Sequence, residues 1–89
     1  MSSTEAPEQV EVRIRKVLRA YGRLNKDTDL VEVSDDLYAC GMTSHASVNV
    51  MLGLENAFHV EFPDQMLKRN VFSSIQSIRS ALGDLITPA

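Results

Sequence analysis

Between Pro7 and Tyr21 the apolar residues Val10, Ile14, Val17, Leu18 and Tyr21 recur at spacings of four, three, one and three, which lays one stripe along a helix. Pro7 suits a first turn, where no backbone donor is needed. Glu8 and Glu11 lie toward the positive end of that helix, and Arg19 and Arg23 toward the negative end. Gly22 offers the stop. Residues 23–40 show no helical period. They carry Asp27, Asp29, Glu32, Asp35 and Asp36, with Leu30, Val31, Val33, Leu37 and Tyr38 scattered among them. This reads as a long ordered loop, pinned across the helices by its apolar residues and with room for one short helical turn.

The helical period returns from Ser44 to about His59, with Val48, Met51, Leu52, Glu55 and Phe58 on one side and Val50, Leu54 and Ala57 widening the apolar face. Gly53 inside it costs roughly 1 kcal/mol relative to Ala, so close packing or a partner's approach is the expected reason for it. Val60, Phe62 and Pro63 break the pattern. A short helical turn over 64–68 follows. The last helix opens at Ser73 with the capping-box pattern Ser73-Ser74-Ile75-Gln76 and a core stripe of Ile75, Ile78, Leu82 and Ile86. The expected architecture is all-α, a small irregular four-helix bundle of three main helices and one short one, with a long loop after the first. Residues 1–6 read as a flexible tail, 7–86 as a single domain and 87–89 as a fraying end.

Length narrows the picture. A chain of 89 residues makes one domain with a modest core. A domain of this size buries only roughly 60% of the surface its unfolded chain exposes, which leaves little room for an enclosed catalytic cavity and argues against an enzyme. Twelve acidic and nine basic residues give a formal charge of −3, and no basic stripe interleaved with aromatics runs along the chain. That argues against a nucleic-acid partner. Cys40 is the sole cysteine, which excludes an internal disulfide and, with two histidines, a cysteine-built zinc site; packing is its expected role. No stretch is long enough to cross a bilayer and the first six residues lack an apolar segment, so a cytoplasmic location is expected. The acidic loop lacks the spacing, glycine and terminal glutamate of a calcium-binding helix-loop-helix and reads as a solvated face. Arg13, Arg15, Lys16 and Arg19 are expected to face solvent, with partner docking open to them.

The stretch Asp36-Leu37-Tyr38-Ala39-Cys40-Gly41-Met42-Thr43-Ser44-His45-Ala46-Ser47-Val48, continued by Leu54-Glu55-Asn56-Ala57-Phe58-His59-Val60-Glu61-Phe62-Pro63, resembles the acyl carrier protein family. There an apolar loop ending in glycine, an apolar residue and Asp-Ser-Leu opens the second helix. The helix closes with Leu-Glu, two acidic positions, Phe and an acidic-apolar-Pro exit. Phe72-Ser73-Ser74-Ile75 matches the family's entry into its final helix. The resemblance implies that Ser44 receives 4'-phosphopantetheine from coenzyme A as a phosphodiester, and that the arm's thiol bears an acyl or aminoacyl thioester. It implies a phosphopantetheinyl transferase, an acyl or aminoacyl ligase and a downstream acyltransferase or synthase as partners of a monomeric carrier with no catalysis of its own. The surface that meets them is expected to include Met42, Thr43, His45, Val48, Met51 and Glu55.

Two readings of Thr43-Ser44 stand side by side, because Ser and Thr cap helices whatever a protein does. Thr43 as cap and Ser44 as attachment hydroxyl satisfies both, and a helix start also favours the added phosphate. His45 does not face Ser44 on a helix, so a serine-histidine dyad is excluded on geometry; partner recognition and plain exposure are the readings left for it. His59 fits the negative end of its helix. Thr43 replaces the family's usual Asp and His45 its Leu, while Ala46, Asn49 and Asn56 stand where acidic residues are common. These departures imply a specialised carrier with dedicated partners. The competing reading is an unmodified helical interaction module that keeps the carrier fold, and it differs in tolerating Ser44→Ala.

Overall fold

The computed structural model describes residues 7–86; the expected tail and fraying end lie outside them. Helix α1 (Pro7–Val17) runs on into a wider π turn, Leu18–Gly22. Helix α2 is Ser44–Phe58 and α3 is Ile75–Ile86. Short 3₁₀ turns occupy Thr28–Leu30, Asp64–Met66 and Arg69–Phe72. No strand occurs among the described residues, so the fold is the expected all-α bundle. Its short fourth member is two successive 3₁₀ turns rather than one helix.

The core is built by Ile14 and Leu18 from α1 and its extension, Val50 and Leu54 from α2, and Ile75, Ile78 and Leu82 from α3. Two loop residues, Val31 and Leu37, are as deeply buried as any of these. The period-based stripes were too wide at three places. Tyr21, Ile86 and the α2 pair Val48 and Leu52 are about half exposed; on α2 this follows from the narrow Ala46-Val50-Leu54 face being the one turned inward. Tyr21 lies instead against Gly53. A Cβ at Gly53 would stand 2.8 Å from the Tyr21 ring and 2.9 Å from Val17 Cγ1, so the glycine exists for close packing.

The loop between α1 and α2 is pinned to the core by its apolar residues Val31 and Leu37, as expected, and is tied further by polar contacts. The Arg15 guanidinium, expected in solvent, turns inward and donates to the carbonyls of Thr28 (2.5 Å) and Val31 (2.6 Å) while pairing with Glu11 at 2.9 Å. Arg19 reaches Thr28 Oγ1 and Asp29, and Arg13 lies over the Phe58 ring. A side chain with five donors satisfies carbonyls that an irregular segment cannot pair within itself. The Leu37 amide donates to Ser73 O and the Gln76 amide to Val33 O, tying the same loop to the start of α3. The acidic residues serve their own turns: Asp27 accepts from the Asp29 amide, and Asp35 from the Glu32 amide and Lys26.

Helix ends follow rules the sequence shows only in part. The left-handed residues that stop α1's extension and α2 are Arg23 and His59, both at φ 55°, rather than glycines. His59 therefore closes α2 through its backbone; its amide bonds Glu55 O. At α3 the reciprocal cap is Ser74 with Ser77, one residue later than the expected Ser73 and Gln76. The Ser77 amide donates to Ser74 Oγ and the Ser74 amide to Ser77 Oγ.

Candidate functional site

The approach to α2 is a tight turn. The Cys40 amide donates to Asp36 and Leu37 carbonyls and that of Met42 to Leu37 O. Gly41 takes φ 108°, and a Cβ there would stand 3.2 Å from the Asn25 backbone nitrogen. Cys40 is half-buried, less enclosed than a core thiol, while its carbonyl accepts from the Asn25 amide at 2.7 Å. Met42 is 2% exposed, so its side chain anchors the turn from beneath and cannot serve as a contact residue. The next two residues divide two tasks. Thr43 is the cap: its Oγ1 accepts from the Ala46 amide at 3.0 Å and its carbonyl from the Ser47 amide. Ser44 is the first helical residue, exposed, with its hydroxyl uninvolved in capping.

Ser44 stands at the edge of an open groove of about 430 Å³. Val48, Met51, Leu67 and Phe72 give it an apolar floor; Lys68, Arg69, Tyr38 and Ser47 complete the rim. Arg69 stacks on the Tyr38 ring, 3.7 Å from its centroid, and the Tyr38 hydroxyl donates to Arg69 O at 3.3 Å. Phe72 is fixed behind by an edge-on contact with Phe62, centroids 5.3 Å apart. Of the expected contact residues, Val48 and Met51 share this groove with Ser44; Thr43 and His45 are exposed beside it. Glu55 is turned to another task, accepting the Phe62 amide at 2.8 Å and so steadying the chain where it leaves α2. Tyr38, Leu67, Lys68, Arg69 and Phe72 were not expected here. They come from irregular segments, and the adjacent cations Lys68-Arg69 beyond the Pro63 exit were the only signal in the chain.

Nothing in the site supports hydrolysis, since no hydrogen bond joins His45 to Ser44 among the described residues. Nor does any group of three His, Cys, Asp or Glu side chains there converge as metal ligands. What the site offers is one free hydroxyl at the positive end of a 15-residue helix. The amides of Ser44 and His45 have no protein acceptor among the described residues, and two cations line the same groove. This arrangement fits a hydroxyl that carries a phosphate-linked group. A small helical bundle with such a serine is the framework of a carrier.

Residues 13–82 match the family described as "Phosphopantetheine attachment site". The aminoacyl carrier protein of Agrobacterium fabrum is 45% identical over 69 residues, covering 78% of this chain and 83% of the relative. A similar chain occurs in the crystal structure of an engineered Bradyrhizobium japonicum glycine:[carrier protein] ligase complexed with carrier protein from Agrobacterium tumefaciens and ATP. It superposes with a TM-score of 0.80 at 42% identity, covering 82% of this chain and 95% of that one. The corresponding complex with AMP gives 0.79 at 43% identity. The protein belongs to the phosphopantetheine-binding acyl carrier family. It is a carrier of acyl or aminoacyl groups on phosphopantetheine and not an enzyme.

Proposed function

We propose that Ser44 is the attachment residue and that the cargo is an amino acid, activated by a dedicated aminoacyl:carrier protein ligase. The carrying observation is that Thr43 caps α2 and leaves the exposed Ser44 hydroxyl free at the helix start. The likeness to an aminoacyl carrier and to a carrier seen with a glycine ligase supports the choice of cargo. When bound, phosphopantetheine supplies the thiol that holds the cargo as a thioester. The chain's own contribution is to present the hydroxyl to the transferase, to seat the phosphate at the α2 N-terminus, and to offer partners a face made by Thr43, His45, Val48 and Met51. None of these four side chains is acidic, which fits dedicated partners better than enzymes that read acidic helices. On this reading residues 7–86 act as one monomeric carrier domain in the cytoplasm, serving a transferase, a ligase and a downstream aminoacyl acceptor. No helix among the described residues is long and apolar enough to cross a membrane.

Intact mass tests this directly. Protein from its native host, and protein incubated with coenzyme A, magnesium and a phosphopantetheinyl transferase, should gain one phosphopantetheine, and Ser44→Ala protein none. Holo protein given an aminoacyl:carrier protein ligase, ATP and a mixture of amino acids should gain one aminoacyl residue that hydroxylamine removes. An unmodified mass in native-host protein supports the unmodified interaction module instead.

A further inference from the structure

Lys68 and Arg69 have no part in the core and lie far along the chain from Ser44, yet both line its groove. They are the charged side chains of that lining; no carboxylate shares it. The floor between them and α2 is Val48, Met51, Leu67 and Phe72, with Val48 about half exposed and Leu67 nearly so. About 430 Å³ is within the range of roughly 300–1,000 Å³ typical of clefts that hold small organic ligands. Apolar surface of this kind open beside two cations suits an occupant that is anionic at one end and largely apolar or amide-like along its length. A phosphopantetheine arm on Ser44 has that order of groups, and is tethered where the groove begins.

Resting on the Ser44 reading, we propose that this groove is the resting place of the unloaded arm, with Lys68 and Arg69 as positioning residues that hold its phosphodiester. Arg69 is already oriented by its stacking on Tyr38, so little side-chain freedom is lost when an anion arrives. A charge-assisted contact between cation and phosphodiester is strong enough to orient the arm and, being open to solvent, weak enough to release it to a partner. The pantetheine portion lies along Val48 and Met51 on one wall and Leu67 and Phe72 on the other.

The test compares backbone amide NMR spectra of apo and holo protein, the holo state being checked by intact mass. Conversion should move the resonances of Met51, Leu67, Lys68, Arg69 and Phe72 as well as those next to Ser44. In holo Lys68→Ala/Arg69→Gln protein the shifts at Leu67 and Phe72 should be lost. In wild type, salt near 1 M, where the screening length falls to about 3 Å, should shrink them. The single variant Lys68→Ala, which leaves the Tyr38 stack intact, should lose part of them and guards against a folding defect. Shifts confined to residues 43–47, or undiminished in both variants, overturn the resting place alone. Absence of any mass gain, in native-host protein included, overturns the Ser44 reading and this one with it.

Discussion

Replacing Arg15 by Met should cost this domain about 2–4 kcal/mol. The side chain is 16% exposed, so its charge-assisted bonds to Thr28 O and Val31 O are mostly shielded from water. Bonds of this type contribute about 1.5–3 kcal/mol each, and a carbonyl left without a donor loses up to about 1–3 kcal/mol of solvation. Two features hold the total down. Met keeps the apolar stem, and Glu11 retains Arg79 at 3.5 Å, so no carboxylate is stranded. For a small domain whose whole stability is about 5–10 kcal/mol, that loss lowers Tm by roughly 10–25 °C. Urea unfolding of the apo protein followed by far-UV circular dichroism measures it, with Lys16→Met, an exposed neighbour, expected within about 0.5 kcal/mol of wild type. Hydrogen exchange should show the amides of Asn25 and Leu37 losing protection more than those of α3. A loss below about 0.5 kcal/mol, with unchanged denaturant dependence, would refute the view that this guanidinium holds the loop.

Gly53→Ala gains about 1 kcal/mol of helix propensity but forces contacts at 2.8–2.9 Å, so a net loss of about 0.5–2 kcal/mol is expected by urea melt and a smaller one when Tyr21→Ala is added. His59→Gly should stabilise by about 0.5–1 kcal/mol, since glycine takes the left-handed cap without strain, and calorimetry reads it as a raised Tm. Thr43→Ala should cost about 1 kcal/mol while Ser44→Ala in the apo protein stays within about 0.5 kcal/mol, which separates the capping hydroxyl from the one left free. The Asp35 carboxyl is held below its ordinary pKa by the Glu32 amide and by Lys26. Its contribution is therefore present above the unfolded pKa and fades as pH falls through the lower folded one; Asp35→Asn should flatten the acid limb of a stability profile.

The helices and the Thr43-Ser44 start of α2 were legible because both are local signals. A stripe at Ile14-Val17-Leu18 specifies a buried helix face whatever surrounds it, and the family resemblance runs along the chain itself from Asp36 to Pro63. The errors lie where tertiary partners decide. On α2 the apolar residues Val48 and Leu52 belong to the same period as Val50 and Leu54, and only the placement of α1 and α3 chooses which are covered. Arg15 and Met42 were misplaced for the same reason: composition puts an arginine outside and leaves a loop methionine free, but an irregular segment needs donors and an anchor. The groove was least legible, since five of its nine lining residues, Tyr38, Leu67, Lys68, Arg69 and Phe72, come from irregular segments and a single 3₁₀ turn with no period to read.

The loop that leads into α2 is bound to residues that come much later in the chain. The Leu37 amide reaches Ser73, that of Gln76 reaches Val33, and Tyr38 meets Arg69 across thirty-one positions. During synthesis the domain thus has its serine early and the frame around it late, because closing contacts of that span must wait for the second half of the chain to emerge. A nascent or truncated polypeptide ending before Arg69 holds the hydroxyl on an unsupported segment, which a transferase that reads the folded turn would pass over. On the proposed attachment at Ser44, loading would thereby report completeness, since the turn that presents this hydroxyl is held only once Arg69, Ser73 and Gln76 have been made.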